Sequence, residues 1–244
     1  MSSNPSIDKE AEATARVVPG AEGHVSQQKK VANPAPLGLG AFALTTFVLS
    51  LINLKANGVH EPNLVVALAF AYGGLIQLLA GMWEMAVGNT FGATALSSYG
   101  GFWISFGIVL TPSFNIVKSY TDTVTGKSSF SDVFALYLWA WFIFTTLCTL
   151  LTLRSNVAFA SLFIVLDAAF FCLALAEQNA GTSPAVAGAL QTAGGCFGLA
   201  AAMLAWYNMF AGMADSTNFW FSIPVIQLPW SEGQKKQKME RSRV

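Results

Sequence analysis

The chain has 244 residues, 54% of them hydrophobic and only 11% charged, with a formal net charge of zero. Soluble domains carry roughly 25% charged residues, and nothing in a neutral balance suits a nucleic-acid partner. The charges gather at the two ends and in short gaps between apolar runs, so the expected class is an all-α polytopic membrane protein.

Residues 1–32 are polar, rich in Ser, Glu, Lys, Pro and Gly, without an apolar core. This predicts a disordered N-terminal tail and no cleavable signal peptide, leaving the first membrane helix as its own insertion signal. The run Asn33-Pro34-Ala35-Pro36-Leu37-Gly38-Leu39 then opens the first apolar stretch. Asn caps helix N-termini, and Pro is tolerated in the first turn because those N–H groups lack intrahelical partners. The pattern predicts a helix tip with unpaired donors and a partial positive charge, suited to a carboxylate. It fits equally a membrane helix that is simply well capped.

A bilayer-crossing helix needs about 20 mostly apolar residues. Six segments qualify: 36–54, 64–87, 92–110, 133–153, 157–176 and 186–212. The turn Gly88-Asn89-Thr90-Phe91-Gly92 separates the second from the third. The polar stretch 111–132 leads to the fourth, with Asp132 as its expected N-cap. Arg154-Ser155-Asn156 makes a tight turn, and residues 180–184 precede the sixth. Small residues recur every four positions at Ser97, Gly101 and Ser105 and at Gly194, Gly198 and Ala202, a spacing that lets helix backbones approach closely in lipid.

Six spans put both tails on one side. That side collects Lys9, Arg16, Lys29, Lys30, Arg154 and the five basic residues of the C-tail, against Lys55, Lys118 and Lys127 opposite. The positive-inside rule then makes both termini cytoplasmic. After the sixth span, the aromatic run 219–224 and Pro229-Trp230 suit the membrane interface. The basic residues 235–243 either stay solvated or touch anionic lipid. The expected organisation is a tail over 1–32, a membrane domain over 33–215, and an interfacial and basic segment over 216–244.

Polar groups inside apolar spans are expensive and invite a reason. Asp167 lies mid-way along the fifth span and must be protonated, paired or facing a wet cavity. It is a candidate proton carrier, or a neutral acid bonded to a hydroxyl on a neighbouring helix. Glu84 lies one turn before Gly88, on the same membrane face as the Asn33-Pro34 start. It is a candidate for a substrate gate and for proton coupling, or an interfacial cap. Gln77 lies within the second span and Glu177 near the far end of the fifth. Cys148, Cys172 and Cys196 fall in three different spans and read as packing residues, not a disulfide framework. His24 and His60 are outside the spans, and no Ser/His/Asp set, metal cluster or phosphate loop is present. No enzyme activity, metal or cofactor is expected.

The opening run resembles the signature of the acetate uptake transporter family, the succinate–acetate permeases and their eukaryotic relatives. Further matching strings are Ala71-Tyr72-Gly73-Gly74, Gly81-Met82-Trp83-Glu84, Gly88-Asn89-Thr90-Phe91-Gly92, Ser98-Tyr99-Gly100-Gly101-Phe102-Trp103 and Ala205-Trp206-Tyr207-Asn208. The resemblance covers about residues 33–215. It implies a six-helix subunit assembled as a homohexamer, each subunit enclosing its own narrow route, with proton-coupled uptake of acetate and other short monocarboxylates. It places a hydrophobic constriction at Phe42, Tyr99 and Leu166. Substrate-binding or selectivity positions fall at Asn33, Pro34, Pro36, Leu37, Gly38, Thr45, Glu84, Asn89, Thr90, Ala205 and Asn208. Gly40 stands where relatives can carry a larger residue, which predicts looser packing near Phe42.

Large rings at Phe42 and Tyr99 could close a pore by dewetting, and the Tyr99 hydroxyl could bond a carboxylate; both rings also fit ordinary bundle packing. The expected partners are acetate and related carboxylates, protons, membrane lipid and further copies of the chain, and the expected location is the plasma membrane. Two other functions fit the same pattern: an acetate-responsive sensor, or a passive channel for a small neutral solute such as ammonia or urea.

Overall fold

The structure, a computed structural model, describes residues 31–59, 61–123, 125–221 and 223–231. The tail up to residue 30, His60 and the basic residues 235–243 lie outside the described residues. From Asn33 onward the described chain belongs to one unit. It contains six helices long and apolar enough to cross a membrane: α1 Ala35–Asn53, α2 Asn63–Ala86, α3 Thr90–Leu110, α4 Phe130–Thr152, α5 Val157–Asn179 and α6 Pro184–Met213. Antiparallel crossings put the start of α1, the α2–α3 and α4–α5 turns and the end of α6 on one side, here the Asn33 side. The loops around Lys55, Lys118 and Gly181 lie on the opposite, Lys55 side. Among the described residues, β-pairing is confined to two isolated bridges, Thr121 with Ser128 and Asn156 with Gln227.

Each helix starts and stops for a local reason. At α1, the Asn33 Oδ1 accepts from the Ala35 N–H at 3.1 Å, and Pro34 holds the N-cap position. At α5, the Asn156 Oδ1 accepts from the Phe159 N–H at 2.9 Å. The α4 start differs from expectation. The helix begins at Phe130, and Asp132 sits inside the first turn, where the positive end of the helix dipole favours an acid without its acting as cap. Between α2 and α3 the chain reverses at Gly88, whose φ of 82° is a conformation that L side chains resist. There the Asn89 N–H bonds the Glu84 carbonyl at 2.9 Å and the Gly88 N–H bonds Met85, the paired closure of a Schellman motif.

Residues Ala71–Ile76 of α2 form a π-helical turn, one residue wider than an α turn. Its consequence is rotational. An unbroken 3.6-residue period from Val65 would turn Leu79 and Trp83 inward; they are 43% and 56% exposed. The inward stripe instead runs Gly73 and Gly74, Gln77, Ala80 and Gly81, Glu84, with Gln77 at 0% and Glu84 at 2% exposure. Gly74 makes the wide turn possible, since a Cβ there would strike the Ala69 carbonyl oxygen and approach Ile104 Cγ1 to 2.6 Å.

Small residues draw the helices together, and of the stripe expected on α3 Ser97 and Ser105 make contacts with α2 and α4 while Gly101 does not. Ser97 meets Gly81, and Gly100 lies against Leu78, whereas a Cβ on Gly101 would meet nothing within 4 Å. On α6 the expected positions do pack. Gly194 faces Leu173 of α5, Gly198 faces Ser50 of α1, and Ala202 is fully buried. Gly40 leaves no looseness near Phe42, because the Met209 sulfur fills its space, 2.8 Å from where a Cβ would stand. Helix α4 joins the bundle through large rings, with Tyr137 and Trp141 against Phe102 and Phe144 against Tyr99.

After α6 the chain returns along the α4–α5 turn. The Val157 N–H bonds the Ile226 carbonyl at 2.8 Å, the Trp230 indole N–H bonds the Leu153 carbonyl at 2.6 Å, and the Tyr207 hydroxyl donates to the Pro224 carbonyl. Trp220, Phe221, Ile226 and Trp230 remain exposed along this strap. Substituting Gly74→Ala should lower the stability of the detergent-solubilised protein by about 1–3 kcal/mol through overpacking. Gly188→Ala, whose Cβ meets nothing within 4 Å, should leave it unchanged, and thermal unfolding of the two variants checks the contrast.

Candidate functional site

Three cavities follow one another through the bundle. The first, about 190 Å³ on the Asn33 side, is walled by Ala35, Leu39 and Phe42 of α1, Gln77 of α2, Asn89, Leu96 and Tyr99 leading into and along α3, and Phe159, Phe163 and Leu166 of α5. The second, about 50 Å³, lies deeper between α1, α3, α5 and α6. The third, about 200 Å³, reaches the Lys55 side, where Pro62, Phe130, Glu177 and Gln191 line it. Phe42, Tyr99 and Leu166 are walls of both the first and second cavities. Leu49, Asn53, Phe102, Phe170 and Leu173 are walls of both the second and third.

The three residues named for a constriction therefore meet at one level of the bundle. Phe42 and Tyr99 have ring centroids 6.1 Å apart, and all three side chains are buried. The Tyr99 hydroxyl lies 2.9 Å from Thr145 Oγ1. Thr145 has one hydroxyl proton and gives it to the Trp141 carbonyl at 2.7 Å, which leaves Tyr99 as the donor. Its proton is committed to α4, so in this state the phenol holds the ring in place and offers a carboxylate no donor.

The α1 tip also differs from the expected anion cradle. Asn33 takes the Ala35 N–H, Pro36 has none, and the Leu37 and Gly38 N–H groups bond the Pro34 carbonyl at 3.1 and 3.4 Å. The helix dipole remains, but the first-turn donors are consumed. Pro36 instead packs against Gly212 of α6, Gly38 admits Leu96 and Ala80 to close range, and Leu37 points outward at 49% exposure. These residues shape the entrance by fixing α1.

Asn89 organises the mouth of the first cavity. Its Oδ1 accepts from the Gly92 N–H at 3.1 Å, capping α3, while its Nδ2 donates to Glu84 Oε2 at 2.6 Å. Glu84 Oε1 is buried without a partner. Ala35 and Asn89 line the same cavity, so the α1 tip and the Glu84–Asn89 pair share one mouth. Thr90 is exposed at the start of α3.

Other expected positions lie off the cavities. Thr45 is fully buried, donates to the Ala41 carbonyl at 2.9 Å and packs against Gly73. Ala205 is fully buried in the core, and the Asn208 amide donates to the Leu204 carbonyl at 2.7 Å. Asp167 lies between α4 and α5, its carboxylate oxygens 2.9 and 3.1 Å from Thr146 Oγ1, and it lines none of the three cavities. This is the arrangement of an acid bonded to a hydroxyl on a neighbouring helix.

Residues assigned no site role from the sequence do face the cavities. Gln77 is fully buried, lines the first cavity, and has neither amide atom bonded. Thr46 and Trp103 line the second, with Thr46 Oγ1 and Trp103 Nε1 unpartnered. An amide in an apolar span was the available signal for Gln77, but its direction depends on the wide turn of α2. Nothing in the sequence distinguishes the Trp103 indole from packing.

Replacing Asn89→Asp keeps the cap acceptor but sets a second carboxylate against buried Glu84, and should destabilise the protein by a few kcal/mol. Adding Glu84→Gln exchanges donor and acceptor and should recover most of that loss. Unfolding of the single and double variants provides the comparison.

The GPR1/FUN34/yaaH family profile matches residues 15–230. Acetate permease A of Emericella nidulans is 57% identical over 225 residues, spanning 89% of this chain and 74% of that protein. Ammonia transport outward protein 2 of Saccharomyces cerevisiae is 44% identical, spanning 82% of this chain and 68% of that protein. The solved structure of the bacterial acetate channel SatP superposes with a TM-score of 0.68 at 29% identity, covering 80% of this chain and 99% of that one.

Proposed function

Because this chain belongs to the GPR1/FUN34/yaaH family, we propose that it transports acetate and other short monocarboxylates across a membrane, along the three cavities within each subunit. The observation that carries this reading is the shared wall of Phe42, Tyr99 and Leu166. Two cavities separated only by side chains become continuous when a ring or a Leu changes rotamer, with no helix having to move. While closed, so apolar a wall excludes water and hydrated ions. Glu84 and Asn89, beside the α1 tip and Thr90, form the entrance. Asn33, Pro34, Pro36, Leu37 and Gly38 set the position of α1 around it. Thr45, Ala205 and Asn208 hold the helices that carry the walls and so tune the width of the route.

Transport is coupled to protons, and Glu84, buried beside the mouth and bonded to Asn89, is the group that passes a proton to an entering carboxylate. Asp167, bonded to Thr146 and off the cavities, has a structural part. Both termini are cytoplasmic, an orientation supported by the excess of basic residues on the Asn33 side, and the protein works in the plasma membrane. The subunit assembles with further copies, as a hexamer. Leu136, Ile143, Leu147, Leu150 and Leu151 of α4, each at least 58% exposed, give an apolar surface for neighbours or lipid.

A second reading is the passage of ammonia or another small neutral solute. It is favoured by the name of the yeast relative and by the lack of charge along the middle cavity. Reconstituted protein should take up labelled acetate faster than empty liposomes, and faster still at acidic external pH. Methylamine flux exceeding acetate flux would favour the second reading, and no acetate flux above background would reject the first. Phe42→Ala should raise butyrate flux relative to acetate by about tenfold, the scale on which apolar walls discriminate methylene groups. An unchanged ratio would remove Phe42 from the route.

A further inference from the structure

The middle cavity is the smallest of the three along the route. Phe42, Tyr99 and Leu166 wall it toward the Asn33 side, and Phe102, Phe170 and Leu173 toward the Lys55 side. Its volume of about 50 Å³ is room for about one or two waters, so a solute of only a few non-hydrogen atoms fits. Whatever crosses must be stripped of most of its water here.

Its polar side chains are those of Thr46, Ser50, Asn53, Tyr99 and Trp103. Trp103 is 2% exposed and Thr46 7%; both line the cavity, and the Trp103 indole N–H and the Thr46 hydroxyl have no partner. A buried donor without an acceptor is penalised, and an indole N–H has no other use for its proton. Charge is absent from the wall. Among its lining residues the one ionisable group is the Tyr99 phenol, and its proton is donated to Thr145. No Lys, Arg or His stands there to neutralise a carboxylate, and an unpaired anion in such surroundings is far costlier than a neutral group.

A neutral carboxylic acid enters this uncharged wall at lower cost than its anion. Its carbonyl oxygen accepts from Trp103 Nε1 and from the Thr46 hydroxyl, and Ser50 and Asn53 on the same wall offer acceptors for its own hydroxyl. We propose that the middle cavity is an occlusion site for the undissociated short-chain acid, held by Trp103 and Thr46, so that the proton crosses on the substrate itself. The step is balanced. The carboxylate binds one proton at one mouth, forming a single O–H bond, and releases the same proton at the other, so no net charge moves. This rests on the transport reading above and gives it a chemical species. It also agrees with Asp167 lying off the route, since no protein acid has to ferry a proton through the constriction.

Acetamide is the decisive probe, because it has the acid's shape, a carbonyl acceptor and an N–H donor, and no ionisable group. In proteoliposomes, acetamide should enter faster than in empty liposomes, compete with labelled acetate, and show no dependence on external pH. Acetate influx should be unaffected by a potassium diffusion potential of either sign set with valinomycin. Trp103→Phe and Thr46→Val should each slow both solutes by about tenfold, the weight of one hydrogen bond, and their size-exclusion profiles should match the unsubstituted protein. Acetate influx driven by the potential, with acetamide excluded, would overturn the proposal while leaving acetate transport standing. Unchanged rates in both variants would overturn the roles of Trp103 and Thr46. If neither solute crosses faster than in empty liposomes, the transport reading itself falls.

Discussion

Hydrocarbon offers no hydrogen bonds, so polar atoms on membrane helices must be satisfied within the bundle, and that constraint organises this structure. Most side-chain hydroxyls meet it locally. Thr45, Thr145, Thr146 and Thr149 each donate to the carbonyl four residues back. Among the described residues, the buried side-chain atoms left without partners belong to Thr46, Gln77, Glu84 and Trp103. Their positions are not scattered. Gln77 lines the first cavity, Thr46 and Trp103 line the second, and Glu84 is bonded to Asn89 on the wall of the first. The unsatisfied groups lie on or beside the first two cavities.

The same constraint explains why Tyr99 sits still. A phenol in an apolar bundle needs an acceptor, and Thr145 supplies one without consuming its own proton. The ring is thereby fixed between Phe42, Trp141, Phe144 and Phe163. Tyr99 is thus tied to α4, while Phe42 of α1 and Leu166 of α5 complete the wall shared by the first two cavities. The aromatic seam that ties α4 to α3 continues through Phe102, which stacks on Tyr137 and meets Phe170 edge-on. It thus holds the second closure as well as the fold.

Much of the architecture was legible in the chain. Six apolar runs of bilayer length became six helices, with ends shifted by at most a few residues, because length and hydropathy are the conditions hydrocarbon imposes. Asn33 and Asn156 bond first-turn amides as their positions suggest, and Gly88 closes a turn that asks for its positive φ. The site was legible unevenly. Phe42, Tyr99 and Leu166 were named by likeness to a family, and no periodicity would have joined residues on three different helices. Asp167 attracted attention as the one acid at mid-span, yet its neighbour on α4 is Thr146 and it faces none of the cavities.

What the sequence alone determined is the class, the number of crossings and the capped ends, all of which depend on local composition. Which polar residues face the route was decided only in three dimensions. The extra residue in the turn Ala71–Ile76 rotates the rest of α2, so that Gln77 and Glu84 face inward and Leu79 and Trp83 outward. A regular helical period read from the sequence assigns those faces the other way. The choice was made by packing, since Gly73 and Gly74 let α2 lie against Thr45 and Ile104 where any side chain would collide.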